Sequence, residues 1–229
     1  MDLEKNIVLY ADMLECERKN QPIYYEDEHA LCIQDTYNQM LYCASDNKKS
    51  AKRMVEAMPE SFSMIVAHDM YTDQYIKERF HIACTLECYH TMYIGKEKPV
   101  VILPEGYTMR LLDEHYLPEV MSLYSMEDCN DEAYLRPCLE DGMAGVFQND
   151  ILCGFMGVHE KSSMGILEIK PEYRRQGLAV ALIHQIVGMQ MDRGRIPYGE
   201  IVKDNIASIK LQEKAGLVVS KELTYWYFP

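Results

Sequence analysis

Two arginines and a glycine stand before an apolar helical pattern in the stretch LEIKPEYRRQGLAVALIHQIV, residues 167–187. Residue types in that order suit anion binding. The first N–H groups of a helix have no partner within it, and the helix dipole adds positive potential there, so a phosphate or pyrophosphate can be held on the main chain. Gly177 lets such a ligand approach without a Cβ in the way, Ala179 obstructs little more, and Arg174 and Arg175 can neutralise anionic charge. A purely structural reading stands beside this one, because turns require glycine and surfaces require arginine. The pattern is neither the GxxxxGKS/T phosphate loop nor the GxGxxG dinucleotide turn.

The elements that must position these residues follow from periodicity. Behind the turn lie the segments MAGVFQ, ILCGFMGVHE and MGILEIK, separated only by the short connections ND and KSS, so they form an antiparallel meander. Ahead of it come the helix itself, a strand YGEIVK, a helix ASIKLQEKA and a terminal strand LVVSKELTYWYF. Upstream, YTMRLL reads as a strand, LPEVMSLYSM as a helix and DEAYLRPCLEDG as a loop or short helix. The fold class expected is therefore α/β with a mixed central sheet. The first hundred residues are also mixed: a helix over residues 1–16, strands at HALCIQDT and QMLYCAS, a helix KKSAKRMVEAM stopped by Pro59, a strand SMIVAHD, a helix YTDQYIKERF and a long strand or pair within HIACTLECYHTMYIG. Glycine, proline and charge concentrate in GKEKPVVILPEG, which places a linker there, although VVIL itself has the composition of a strand. The expected domains are residues 1–100, whose pattern admits a degenerate copy of the second half, and residues 104–229.

Composition restricts the partners. The chain has 229 residues, 48% of them hydrophobic, and a formal charge of −13. It has apolar mass enough for a core without metal or disulfide, and it lacks the concentrated basic surface that nucleic acid requires. The start, MDLEKNIVLYADMLECERKN, is charged and has no secretory pattern, and no segment has the length of a membrane span, which points to a cytoplasmic protein. Eight cysteines occur singly, so reduced and mostly buried thiols are expected. In HIACTLECYH, residues His81, Cys84, Cys88 and His90 are close together, but their spacing suits no common zinc knuckle and His81 has the opposite strand parity from the other three; no metal is expected. The sixteen methionines and seventeen tyrosines are read as core material rather than a binding surface.

The stretch PEYRRQGLAVALI fits the Q/R-x-x-G-x-G/A signature of the GCN5-related N-acetyltransferases, with Arg174 first, Gly177 fourth and Ala179 sixth. About thirty residues on, DNIASIKLQEKAGL resembles the second hallmark of that family, NxxSxxLxxKxGF, with Asn205, Ser208, Leu211, Lys214 and Gly216 in register and Leu217 in place of the usual aromatic. The resemblance covers Tyr107 to Pro229. Within the family, NIASIKLQEKAGL and the terminal tryptophan strand look closest to the glycine N-acyltransferase-like branch.

The resemblance implies a sheet whose fourth and fifth strands splay apart, with acetyl-CoA as co-substrate. Its pantetheine arm would pair with the fourth strand at Leu167, Glu168 and Ile169. Its pyrophosphate would rest on Arg174, Arg175, Gln176, Gly177, Leu178 and Ala179, with Asn205 and Ser208 completing the cofactor set. The implied reaction is transfer of an acetyl group to the amine of a small molecule or amino acid, by a monomer or homodimer. Glu168, beside the expected thioester position, is the candidate base, and otherwise a surface carboxylate; Glu200 is its competitor. Relatives often carry a tyrosine as the acid four residues after the Ser208 position, where this chain has Gln212. An amide is no acid, so Tyr225 or Tyr227 would serve, or the low pKa of the departing thiol makes an acid unnecessary. That departure also supports an alternative, a non-catalytic acyl-CoA binding or sensing protein; a phosphate-binding module for another nucleotide is a third.

Overall fold

The structure is a computed structural model describing residues 1–126 and 129–229. The chain forms two compact units, one of residues 1–92, 200–206 and 219–229, the other of residues 93–199 and 207–218.

In the first unit, β1 (Ile23–Glu26), β2 (Ala30–Asp35) and β3 (Met40–Ser45) form an antiparallel meander. Helix α2 (Lys48–Ala57) then carries the chain to β4 (Met64–Ala67), parallel to β3, and α3 (Asp73–Arg79) to β5 (Cys84–Met92). The last strand, β12 (Thr224–Phe228), inserts between β4 and β5 antiparallel to both, with Trp226 opposite Val66 and Leu86. Residues 30–33 of β2 and 40–44 of β3 are all apolar because both faces are covered. Leu41, Cys43 and Ile65 meet Met54 and Val55 of α2 and Ile76 of α3. Leu31, Ile33 and Tyr42 meet Met13 and Cys16 of α1 (Ala11–Arg18). Asn47 caps α2 by accepting from Ser50 N at 3.0 Å, and Met58 turns extended before Pro59. The expected first helix is interrupted: a 3-10 turn at Leu3–Asn6 precedes α1. Strand β1 was not anticipated.

The second unit has an antiparallel sheet in the order β6 (Tyr107–Leu111), β7 (Ala144–Gln148), β8 (Ile151–Val158), β9 (Met164–Ile169), so the expected meander is present and gains β6 at one edge. Asn149 and Asp150 both have positive φ (49° and 62°), as a two-residue hairpin turn requires. One face of the sheet carries α4 (Leu117–Leu123) and α5 (Glu132–Glu140), whose Val120 and Leu135 pack with Phe147, Phe155 and Ile166. The other carries α6 (Leu178–Asp192), whose Leu182, Ile183, Ile186 and Val187 pack with Val146, Met156 and Ile169. The VVIL segment forms no strand. The linker around it is held instead to α6, through His184 Nδ1 to Val100 O (3.0 Å) and an ion pair of Lys98 with Asp192.

Strand β9 ends its sheet, whereas β10 (Tyr198–Val202) belongs to the other, next to β5. The fourth and fifth strands of the expected catalytic half are thus not paired. The compact units also differ from the sequence division at residues 100–104, because pairing of β12 with β4 and β5 draws residues 219–229 into the first unit. The expected single terminal strand is broken into β11 (Val218–Val219) and β12 by a turn in which Ser220 Oγ donates to Glu222 O.

Candidate functional site

Strand β9 departs from regular pairing where the site was expected. Gly165 faces Gly157 and Glu168 faces Phe155, so Met156 stands opposite two residues, Ile166 and Leu167. This is a β-bulge, which leaves an extra residue outside the ladder and bends the strand. Ile166 has φ +52°, a strained conformation for a β-branched residue. Packing maintains it, since its side chain is 2% exposed among Val120, Leu135 and Phe155. Leu167 and Glu168, just after the bulge, are half-buried. Gly154 allows the close approach on the β8 side, where a Cβ would stand 2.5 Å from the Glu168 carbonyl oxygen.

The Glu168 carboxylate is oriented by Ser125. Both the hydroxyl and the backbone N–H of Ser125 donate to Glu168 Oε1, the latter at 3.2 Å. Two positions on, Lys170 Nζ donates to Glu119 on α4 at 2.9 Å.

The chain then makes a 3-10 turn, Pro171–Tyr173, and reaches the glycine turn. Arg174 folds back, its Nε donating to Ile169 O at 2.9 Å. Arg175 is exposed with φ +64°. Gln176 Oε1 accepts from the Tyr107 hydroxyl at 2.7 Å. Gly177, φ +87°, is the N-cap of α6 and offers no side-chain cap, and no acidic residue occupies the first turn. The leading N–H groups of α6 are therefore uncapped, beside two exposed arginines. A Cβ at Gly177 would meet nothing within 4 Å, so the glycine is there for its conformation. Leu178, 1% exposed, anchors the start of the helix, and Ala179 packs partly against the same core.

In the second motif, Asn205 lies exposed in the turn after β10, its N–H donating to Val202 O at 2.8 Å, and belongs to the first unit. Ser208 is half-buried on α7 (Ile206–Lys214), in the second. Gly216, φ +81°, ends α7 with Leu217 N donating to Gln212 O at 3.1 Å, a closure that favours glycine. Leu217 is buried with Ile183 and Val187, so it fills the apolar role of the usual aromatic. Gln212 is buried, and its Oε1 has no hydrogen-bond partner among the described residues.

Residues 144–227 match the family model described as FR47-like protein. A Drosophila protein of known structure superposes with a TM-score of 0.65 at 14% identity, over 96% of this chain and 87% of its own. A GCN5-related N-acetyltransferase-like protein from Streptococcus suis does so with a TM-score of 0.57 at 15% identity, over 99% and 97%. A GNAT-family acetyltransferase from Novosphingobium aromaticivorans gives 0.53 at 16% identity, over 96% and 95%. The chain carries the fold of the GCN5-related N-acetyltransferase superfamily. No curated protein matches it.

The remaining candidates lie elsewhere in the chain. Tyr225 is on β12 in the first unit, opposite Ala67 and Glu87, and burial, with Glu87 and Asp73 nearby, raises its pKa. Tyr227 is fully buried and donates to Asp73 at 2.9 Å, which commits it to the core of that unit. Glu200 is half-buried on β10 in the first unit, where its charge is felt at Tyr42 and His90. Sequence reasoning missed Ser125 and the bulge at Ile166. Gly165, opposite Gly157, and Gly154, opposite Ile169, were the available signal, since glycine inside a strand marks bulges and close backbone approach. Among the described residues, no helix is long and apolar enough to cross a membrane.

Proposed function

We propose that the protein is an acyl-CoA-dependent N-acyltransferase that moves an acetyl group from acetyl-CoA to the amine of a small molecule or amino acid. The observation that carries this reading is the uncapped, arginine-flanked start of α6 at a left-handed glycine, reached directly from a bulged edge strand. A pyrophosphate would suit it: the leading N–H groups have no side-chain cap, a Cβ at Gly177 would meet nothing within 4 Å and no carboxylate stands in the first helical turn. Arg174, Arg175, Gln176, Gly177, Leu178 and Ala179 would hold it, with Asn205 and Ser208 the other proposed contacts. Leu167 and Ile169 would offer backbone groups to the pantetheine arm. Bound acetyl-CoA supplies the activated acetyl thioester.

The chain itself supplies positioning and proton handling. Peptide N–H groups freed at the bulge polarise a carbonyl oxygen that faces them. Glu168, kept in one orientation by Ser125, takes a proton from the attacking amine directly or through one water. Tyr225 is the proposed proton donor to the sulfur; its raised pKa keeps it protonated at neutral pH, and a thiolate also leaves without help. Residues of the segment 128–142 would help to shape the acceptor pocket; Asp128 lies outside the described residues. The likeness of NIASIKLQEKAGL to glycine N-acyltransferase-like proteins makes an amino-acid acceptor the first to try.

Incubation with acetyl-CoA and a panel of primary amines and amino acids, following release of free thiol, tests the proposal. Turnover that depends on both substrates is expected. The second reading, an acyl-CoA sensor, draws on the buried Gln212 in place of a tyrosine. Tight acetyl-CoA binding with no turnover on any acceptor would establish it, and competition by another nucleotide with indifference to pantetheine would overturn both.

A further inference from the structure

The first unit contains a side-chain cluster that acyl transfer does not use. Asp12 on α1, His68 just after β4 and His90 on β5 are 1%, 3% and 0% exposed, and one ligand atom from each lies within 4.8 Å of the other two. His68 Nδ1 faces Cys43 O at 2.9 Å and His90 Nδ1 faces Leu9 O at 2.6 Å. A carbonyl only accepts, so each Nδ1 carries hydrogen and each Nε2 of a neutral ring presents a lone pair. Both Nε2 atoms converge on one carboxylate: His68 on Asp12 Oδ1 at 2.8 Å, His90 on Asp12 Oδ2 at 3.5 Å. Oδ1 also takes the Met13 N–H at 2.7 Å, whereas Oδ2 accepts no hydrogen bond among the described residues.

Two imidazole lone pairs aimed at a buried carboxylate repel it unless positive charge lies among them. One proton, on His68, satisfies only the 2.8 Å contact. Histidines locked through Nδ1–H to backbone carbonyls, with Nε2 converging, are the arrangement in which proteins present imidazole to a metal. Two ligands bound to zinc at about 2.0–2.1 Å in tetrahedral geometry stand about 3.3 Å apart, and the three ligand atoms here lie within 4.8 Å of one another, so a small contraction would close the site.

We propose that Asp12, His68 and His90 form a structural site for a divalent transition metal of the zinc class. The ligands are two neutral imidazole nitrogens and one carboxylate oxygen, with a fourth position for water. Such a buried site loads during folding and ties α1 to β4 and β5. The residues lie 56 positions (Asp12 to His68) and 22 positions (His68 to His90) apart, so no compact spacing announces them. The segment HIACTLECYH, from which no metal was expected, contributes His90 alone.

The test is to unfold the full chain in denaturant with a chelator and refold it with one equivalent of Zn²⁺ or Co²⁺. After removal of excess metal, the metal content, the melting temperature and the visible Co²⁺ ligand-field spectrum are measured. One metal per chain, a raised melting temperature and the intense Co²⁺ bands of a four-coordinate site are expected. His90→Asn should weaken uptake by about tenfold or more, while His115→Asn, on an exposed residue, leaves it unchanged. Folded unmodified chain that shows no Co²⁺ bands and no retained zinc overturns the proposal and assigns the cluster to protons. Equal uptake by a folded His90→Asn variant overturns it as well. Should that variant not fold, the spectrum of the unmodified chain decides alone.

Discussion

Ser125 donates twice to one oxygen of Glu168, through its hydroxyl and its backbone N–H. The pair joins the segment after α4 to the bulged strand and leaves the second carboxylate oxygen free of that contact. Oε1 is thereby fixed and Oε2 is the atom available for proton transfer. Glu168→Gln should lower kcat by about 10²–10⁴-fold without weakening acetyl-CoA binding. Ser125→Ala should act in the same direction and less, because the backbone donor remains. Steady-state kinetics with calorimetric acetyl-CoA affinity checks both, and an unchanged kcat in Glu168→Gln would remove Glu168 from the mechanism.

Gly177 adopts φ +87° with empty space where a side chain would begin. Gly177→Val should therefore cost about 1–2 kcal/mol of backbone strain and, by intruding on the ligand, weaken CoA binding by about tenfold, or about 1.4 kcal/mol. Replacing Arg174 and Arg175 together with alanine should weaken binding mainly at low salt, where exposed charges act furthest. Titration calorimetry at two ionic strengths, with circular dichroism as the check on folding, measures both effects. Unchanged affinity in both folded variants would refute the cofactor site.

Ile186 lies in the middle of α6, fully buried against the β7–β9 face. Ile186→Ala should destabilise the chain by about 2–5 kcal/mol through lost burial and the cavity left behind. Denaturant unfolding reads this directly, and a loss well under 1 kcal/mol would mean that α6 is not packed as described.

The cysteines should divide by accessibility. Burial pushes the thiol of Cys32 up to about 12 and that of Cys138 up to about 12, and it raises Cys16 and Cys43 further still. At pH 8 these four should resist alkylation while the exposed Cys84 reacts first. Peptide mapping after a brief iodoacetamide pulse resolves the sites, with all eight labelled once the chain is unfolded.

The features legible in the sequence are those encoded by neighbours along the chain. The turns ND and KSS enforced the β7–β8–β9 meander, and Gly177 and Gly216 marked the start of α6 and the end of α7 because each position needs positive φ. Leu217 was legible as a substitute for an aromatic because burial asks only for apolar volume there. These signals were also enough to align two motifs with a known family.

Contacts between distant residues were decided only by the tertiary structure. Insertion of β12 between β4 and β5 is made by backbone hydrogen bonds, which carry almost no residue code, so the terminal strand gave no sign of joining the first unit. The strained Ile166 is held by its neighbours in the core, not by its own preference for that conformation. Ser125 with Glu168, and Asp12 with His68 and His90, are polar groups whose partners are remote in sequence. Periodicity says which face of an element is apolar; the convergence of single polar side chains depends on how whole elements pack, and that is settled only when the chain has folded.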